Sequence, residues 1–290
     1  ESGNKSEAES SDSQEDEEKE VASLGRRFAL LKGLWIDGAS VVAKVDEEYN
    51  EKVRFDSKEA KIQGQLRDLL DIISDRYKRK VRKQGWFKRA FLAGIASQRS
   101  NTSTRIRHAA VDAIYDCRAT KMRTPADRRK FRKEIGWYEH EDGEGGEYSS
   151  LDVPILHEDG SEEYDIHTCF LNPVLMRVSL LFLYVALIRG PAAAAKMLDP
   201  EADVHVPKTD NMELIHGIDH TEAGAIAGSC VLAIWGKSPD VHLNPRGDHT
   251  NIDYKARFDE YLDILTTGLR KKSPSILHVF AEWDRMVFPD

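Results

Sequence analysis

The stretch from Asn172 to Arg189 constrains this chain most. Between Val174 and Ile188 the only charge is Arg177, with Ser179 and Tyr184 as the other polar groups. A helix of that composition is apolar all round and has to be buried on every side. Its ends are marked. Asn172 is a good N-cap, and Pro173 suits the first helical position because that N–H would have no partner anyway. Gly190-Pro191 closes it. The run falls short of the ~20 apolar residues a membrane span needs. The expectation is therefore a buried central helix at about 172–189 and no membrane partner. A buried arginine needs a partner, and for Arg177 the candidates are the acidic stretch 139–165, Asp253, Asp259 and Glu282.

Helical periodicity extends along most of the chain. A pattern starts near Ala22 with Leu24, Phe28, Leu31, Trp35, Val42, Val45 and Tyr49, weakened by Gly25, Gly33 and Gly38, so a break is expected near Asp37-Gly38. Ser57 precedes a stripe of Ile62, Leu66, Leu69, Leu70, Ile73 and Tyr77. Ser100 to Ser103 offers a cap for a helix through Ile106, Ile114 and Cys117. Thr124-Pro125-Ala126-Asp127 is a helix start with a capping box. Trp137 to Asp165 reads as a long acidic loop with a small hairpin around His157–Gly160. Pro191 to Leu198 reads as a short helix and 199–210 as a loop. Thr221 caps a helix rich in small residues, Ala223 to Trp235. Asn251 starts an amphipathic helix through Tyr254, Phe258, Tyr261, Leu262, Leu265 and Leu269. Ser273-Pro274 opens the last, with Ile276, Leu277, Phe280, Trp283, Val287 and Phe288 inward. The predicted fold is mainly α, an irregular multi-helix bundle around the central helix.

Charge is segregated. Residues 1–20 carry nine acids and two lysines, so −7 of the net −8 lies there. That tail has too little apolar surface to offset the cost of ordering and is expected to be disordered. It also reverses the basic-then-apolar order of a secretory signal, which gives the expectation of an intracellular chain, nuclear or cytoplasmic. Residues 21–290 are expected to form one helical domain. Within it, a basic part (21–136) and a helical core (166–290) are joined by the acidic loop 137–165. Arg76 to Arg107 holds eleven Lys or Arg and no acid, whereas Glu139 to Asp165 holds eleven acids and no Lys or Arg. Three widely spaced cysteines, Cys117, Cys169 and Cys230, specify neither a disulfide framework nor a metal site and are expected to be reduced and buried.

Several segments together resemble a known family. They are Phe131–Trp137, Val153–His157, Cys169–Met176, Ile188–Pro191, Met212–Ile218 and Gly224–Ala227, then Asn251–Tyr254, Phe258–Leu262, Thr267–Lys271 and Ile276–Asp284. The family is a domain of unknown function present in many copies in mushroom-forming basidiomycete fungi. The resemblance covers roughly 24–289 and implies a eukaryotic intracellular protein. It carries no activity, cofactor or catalytic residue to transfer.

The strongest functional signal is the basic stretch. Arg76, Lys78, Arg79, Lys80, Arg82, Lys83, Lys88 and Arg89, interleaved with Tyr77, Trp86 and Phe87, could follow a phosphate backbone and offer rings for stacking. Residues 78–83 also form a cluster of the nuclear-import type. The competing reading places these cations against the acidic tail or the 139–165 loop. The partner is accordingly nucleic acid or an acidic protein. No GxSxG, P-loop or HExxH motif is present, and no catalytic residue, metal ligand or cofactor is assigned. Two weaker patterns remain. His216 and His220 stand four apart beside Asp219, and His167 precedes Cys169. An enzyme would need His157, His167, His216, Asp219 and His220 to converge on a polar cleft. A third reading is self-association through the small residues of 223–230.

Overall fold

The computed structural model describes residues 4–81, 84–108, 110–180 and 220–288, with side chains from Gln14 onward. The fold is mainly α; among the described residues the only sheet is a two-stranded antiparallel pair. The chain divides into two compact units, 1–100 and 101–290. The second half of the predicted central helix, the 191–198 helix, the 199–210 loop, His216 and Asp219 lie outside the described residues, as do Arg82 and Lys83.

In the first unit α1 runs Asn4–Leu31, so the acidic stretch and the apolar stretch from Ala22 share one helix. Gly25 does not weaken it. A methyl group there would overlap the Phe91 carbonyl, and one at Gly94 would overlap the Ala22 carbonyl. The two helices thus cross backbone to backbone, which only glycine permits. The helix ends earlier than the spacing suggests. The Lys32 and Gly33 N–H groups both donate to Phe28 O, at 2.9 and 3.1 Å. Val42 and Val45 beyond it are exposed. Helix α2 (Lys58–Ile72) is capped as expected, with Ser57 Oγ accepting from Ala60 N at 3.0 Å. A short α3 (Asp75–Lys78) follows, then α4 (Gly85–His108), whose residues up to Ser100 belong to this unit. Ser100 to Ser103 lies inside α4 and caps nothing, because Gln98 and Thr102 are buried and the helix continues through them. The core of this unit gathers Phe28, Leu66, Leu69, Tyr77, Phe87 and Phe91. Phe28 meets Phe91 edge-on at 5.6 Å, and Phe87 stacks on Phe91 at 5.9 Å.

The second unit contains α5 (Val111–Tyr115), α6 (Pro125–Arg128), strands β1 (Trp137–Glu139) and β2 (Gly146–Tyr148), and α7 (Pro173–Ser179). Helices α8 (Ala223–Lys237), α9 (Tyr254–Arg270) and α10 (Pro274–Val287) complete it. Thr124 and Asp127 form the expected capping box of α6. Asn172 and Pro173 open α7 as expected, Asn172 Oδ1 accepting from Val174 N at 3.0 Å. Helix α8 is buried at every position from Gly224 to Lys237, and α7 and α9 pack against it. Its small residues from Gly224 to Ser229 therefore face this chain's own core rather than an exposed surface. The cap of α9 is Asp253 rather than Asn251, with Oδ1 accepting from Ala256 N at 2.8 Å. Asn251 takes a left-handed turn at φ 62°. On α10 the buried set is Ile276, Val279, Trp283 and Val287, and Leu277 is exposed.

The acidic segment 137–165 belongs to the second unit. Its hairpin is β1–β2, with Trp137 opposite Tyr148, while His157 makes only an isolated bridge to Cys169. Arg257 Nη2 donates to Tyr148 O at 3.0 Å, and Tyr261 OH to Ser150 O at 2.6 Å, tying the segment to α9. The contact described for Arg177 is to the main chain. Its Nη1 donates to Ile114 O, in α5, at 3.0 Å. A carbonyl near a helix C-terminus carries partial negative charge and suits a guanidinium.

Candidate functional site

The basic run is not one helical face. It is divided between α3, the following turn and α4, and its cations serve different ends. Lys80 Nζ lies 2.5 and 2.7 Å from the two Glu17 carboxylate oxygens. Arg76 pairs with Glu20 and donates to the Tyr77 hydroxyl. Lys78 pairs with Asp75 at 2.8 Å. Arg79 and Arg89 are exposed and Lys88 is half-buried. The rings are not available for stacking as expected: Tyr77 and Phe87 are fully buried in the first unit's core, and only Trp86 is partly exposed. A hydrophobic ring in a small unit gains more from burial than from display. Arg99 is also structural; its Nη1 donates to Leu34 O at 2.9 Å and burial lowers its pKa.

Among the described residues, the histidine and cysteine patterns do not converge on one site. His157 is fully buried, with Nε2 3.0 Å from Leu151 O and Nδ1 3.0 Å from Thr168 Oγ1. The carbonyl can only accept, so Nε2 donates to it, while Thr168 Oγ1 also lies 3.3 Å from Asp165 O. His167 Nδ1 lies 3.0 Å from Ser275 Oγ, and His220 is exposed. Burial pushes the Cys169 thiol up to about 12 and raises Cys230 well above the ordinary thiol value, so neither supplies a thiolate near neutral pH. Cys117 is half-buried, its pKa also raised by burial. Among the described residues no group of three or more His, Cys, Asp or Glu is placed to hold a metal ion. None of the described helices is long and apolar enough to cross a membrane.

A polar centre unmarked by any motif lies at the end of α8. Asp240 is fully buried. Its Oδ1 accepts from His249 N (2.6 Å) and Thr250 N (2.9 Å), and its Oδ2 from Thr250 Oγ1 and Tyr254 OH, both at 2.6 Å. Burial pushes its carboxyl up, but these hydrogen bonds outweigh burial and leave it below the ordinary carboxylate value. Arg107 donates to Trp235 O (2.6 Å), Ser238 O (3.2 Å), Asp240 O (2.5 Å) and Val241 O (3.0 Å), and its guanidinium lies over the Trp235 ring. Arg128 Nε adds a bond to Ser238 O at 2.6 Å. Two guanidinium groups thus satisfy the carbonyls at and just past the C-terminus of α8. Burial, then repulsion from Arg128, brings the Arg107 pKa down to about 9.

The loop that Asp240 holds forms one wall of a groove. One hollow, of about 430 Å³, is lined by Arg129, Lys130, Arg132, Pro239 and His249 together with Trp137, Tyr148 and Thr250. A second, of about 590 Å³, shares those last three residues and adds Arg246, Asn251, Asp253, Arg257 and Glu260. Glycine at 146 makes room for the Trp137 ring, whose Cζ2 would lie 2.6 Å from a β-carbon there. Trp137 and Tyr148 meet edge-on at 5.0 Å. The convergence of Arg129, Lys130 and Arg132 with the hairpin and the 246–260 segment carries no local sequence signal, since the lining residues are up to 131 positions apart (Arg129 to Glu260).

No family model, no curated protein and no solved structure matches this chain. The reading of its function rests on its own geometry.

Proposed function

We propose that this chain is a non-enzymatic helical interaction domain whose cations between Arg76 and Arg89 bind an acidic protein segment. The observation that carries the reading is the double contact of Lys80 with Glu17, beside the Arg76–Glu20 pair. These cations already hold carboxylates presented along a helix. A partner rich in Asp and Glu would make the same contacts and would recruit Arg79, Lys88 and Arg89, which carry no ion pair among the described residues. An acidic segment fits better than nucleic acid because two of the three rings that would stack on bases, Tyr77 and Phe87, are buried. In this reading the first twenty residues compete with the partner. Intracellular placement, nuclear through the 78–83 cluster or cytoplasmic, belongs to the same proposal. So does membership of the basidiomycete family, which an aligned set of fungal chains sharing segments 169–176 and 276–284 would support.

The test is titration with an Asp/Glu-rich peptide and with single- and double-stranded DNA at two salt concentrations, using the native chain and Glu17→Gln/Glu20→Gln. The expected result is salt-sensitive peptide binding that tightens in the variant, because its cations are released. Tighter binding to DNA than to peptide would favour the nucleic-acid version. Absence of salt-sensitive binding to either would remove the reading.

A further inference from the structure

We propose that the groove around Trp137 and Tyr148 binds a nucleoside phosphate, the phosphate among Arg129, Lys130 and Arg132 and the base in the larger hollow. This site lies in the second unit and does not rest on the acidic-partner reading.

The smaller hollow demands an anion. Three cations line it, all exposed. Arg132 is partly offset by Glu139 at 2.9 Å and Lys130 by Asp127 at 3.8 Å, while Arg129 has no ion pair among the described residues. Guanidinium and ammonium groups converging on one space are the arrangement that phosphate oxygens satisfy. The middle of the groove demands a flat ring. Trp137 and Tyr148 wall both hollows, and stacking on aromatic faces is the sequence-tolerant way to hold a base.

The larger hollow demands hydrogen-bonding edges. Arg257 is 5% exposed, and its Nη1 has no hydrogen-bond partner although Nη2 is bonded to Tyr148 O. Trp137 Nε1 is likewise buried without a partner. Buried donors left unmade are costly, and a ring nitrogen or carbonyl from a ligand would satisfy them. Asp253 and Glu260 line the same hollow and would accept from an exocyclic amino group or ribose hydroxyls. They also repel a second anion there, which fixes the ligand's direction. Each hollow falls within the roughly 300–1,000 Å³ of small-molecule sites. The wall carrying His249 and Thr250 is preorganised by their backbone bonds to Asp240.

The test is calorimetric titration of the full chain with AMP, ADP, adenosine, inorganic phosphate and a phosphotyrosine peptide. AMP or ADP is expected to bind at least about tenfold more tightly than adenosine or phosphate alone, because both ends of the groove are then used. Arg129→Glu/Lys130→Glu is expected to lower nucleotide affinity by about tenfold or more, with the helical circular dichroism unchanged since both positions are exposed. Trp137→Phe is expected to weaken nucleotide and adenosine alike. Glu17→Gln/Glu20→Gln is expected to leave nucleotide affinity unchanged, which separates this site from the acidic-partner surface. The proposal is overturned if no nucleotide binds, if phosphate alone binds as tightly as AMP, or if the charge reversal has no effect. Preference for the phosphotyrosine peptide over every nucleotide would overturn it as well.

Discussion

Arg76 and Arg107 stand at opposite ends of one basic run and are held in opposite ways. Arg76 is exposed and faces a carboxylate, Glu20, across water-accessible space. Arg107 is drawn into a nest of main-chain carbonyls over the Trp235 ring, with no ion pair to a carboxylate among the described residues. The first arrangement is a pairing of full charges that salt screens and that another anion can replace. The second sets a full charge against neutral dipoles, which screen poorly and do not exchange. The cost appears in its proton affinity: carbonyls do not fully offset desolvation, and the pKa falls to about 9. A run of cations in a sequence is thus two things at once, a displaceable surface near Arg76 and a fixed helix terminus near Arg107.

The contrast can be broken most forcefully at Asp240. Asp240→Ala removes four accepted hydrogen bonds from a buried carboxylate and frees the 249–250 loop. The expected loss is about 4 kcal/mol, read as a shift in the denaturant midpoint of the second unit. Arg107→Met should cost about 2 kcal/mol, since the α8 carbonyls lose their donors while the burden of a desolvated charge is lifted. That loss should be the same in low and high salt. A third test uses pH. The Asp240 carboxyl sits below its ordinary 3.8 in the folded chain. Its stabilisation is fully present above about pH 4 and is lost as the pH falls through the lowered folded value. Acid unfolding of Asp240→Asn, monitored by near-ultraviolet circular dichroism, should lack that share of the pH dependence. The smallest effect belongs to the first unit. Glu17→Gln should cost less than about 1 kcal/mol and the difference should vanish near 1 M salt, where the Debye length is about 3 Å. A salt-independent loss there, or a salt-dependent one at Arg107, would erase the distinction.

What the sequence discloses follows the range of the interaction. Ser57, the Thr124–Asp127 box and the Asn172-Pro173 border are caps written within four residues, and all three hold. The stripe of α9 is equally local and its residues Tyr254, Phe258, Tyr261, Leu262 and Leu265 are buried. Register signals fare worse where two rules compete. Val42 and Val45 continue a helical spacing, but the chain has already closed α1 on Phe28 and both are exposed. Leu277 fits the stripe of α10 by type yet faces solvent. The Asp240 centre was illegible because each partner it needs is common in isolation. Arg107 reads as a member of a basic run, and Arg128 carries no local signal for this role, until Ser238, over a hundred residues away, accepts from both. The groove is the same case: Trp137 and Tyr148 belong to a local hairpin, but His249 reaches it through the Asp240-held loop and Arg257 through α9.

The Gly25–Gly94 crossing has a consequence for the acidic stretch. Side chains that interdigitate can slide by a turn and repack; two backbones in contact cannot. The crossing acts as a key that fixes the rotational phase of α1. Glu17 lies eight residues and Glu20 five residues before Gly25 on the same helix. Their bearing toward Lys80 and Arg76 is therefore set by that distant joint. One residue inserted between Glu20 and Gly25 would rotate both carboxylates by about 100° without touching either ion pair directly. The joint determines where the acids point, and length alone, not composition, would disconnect them.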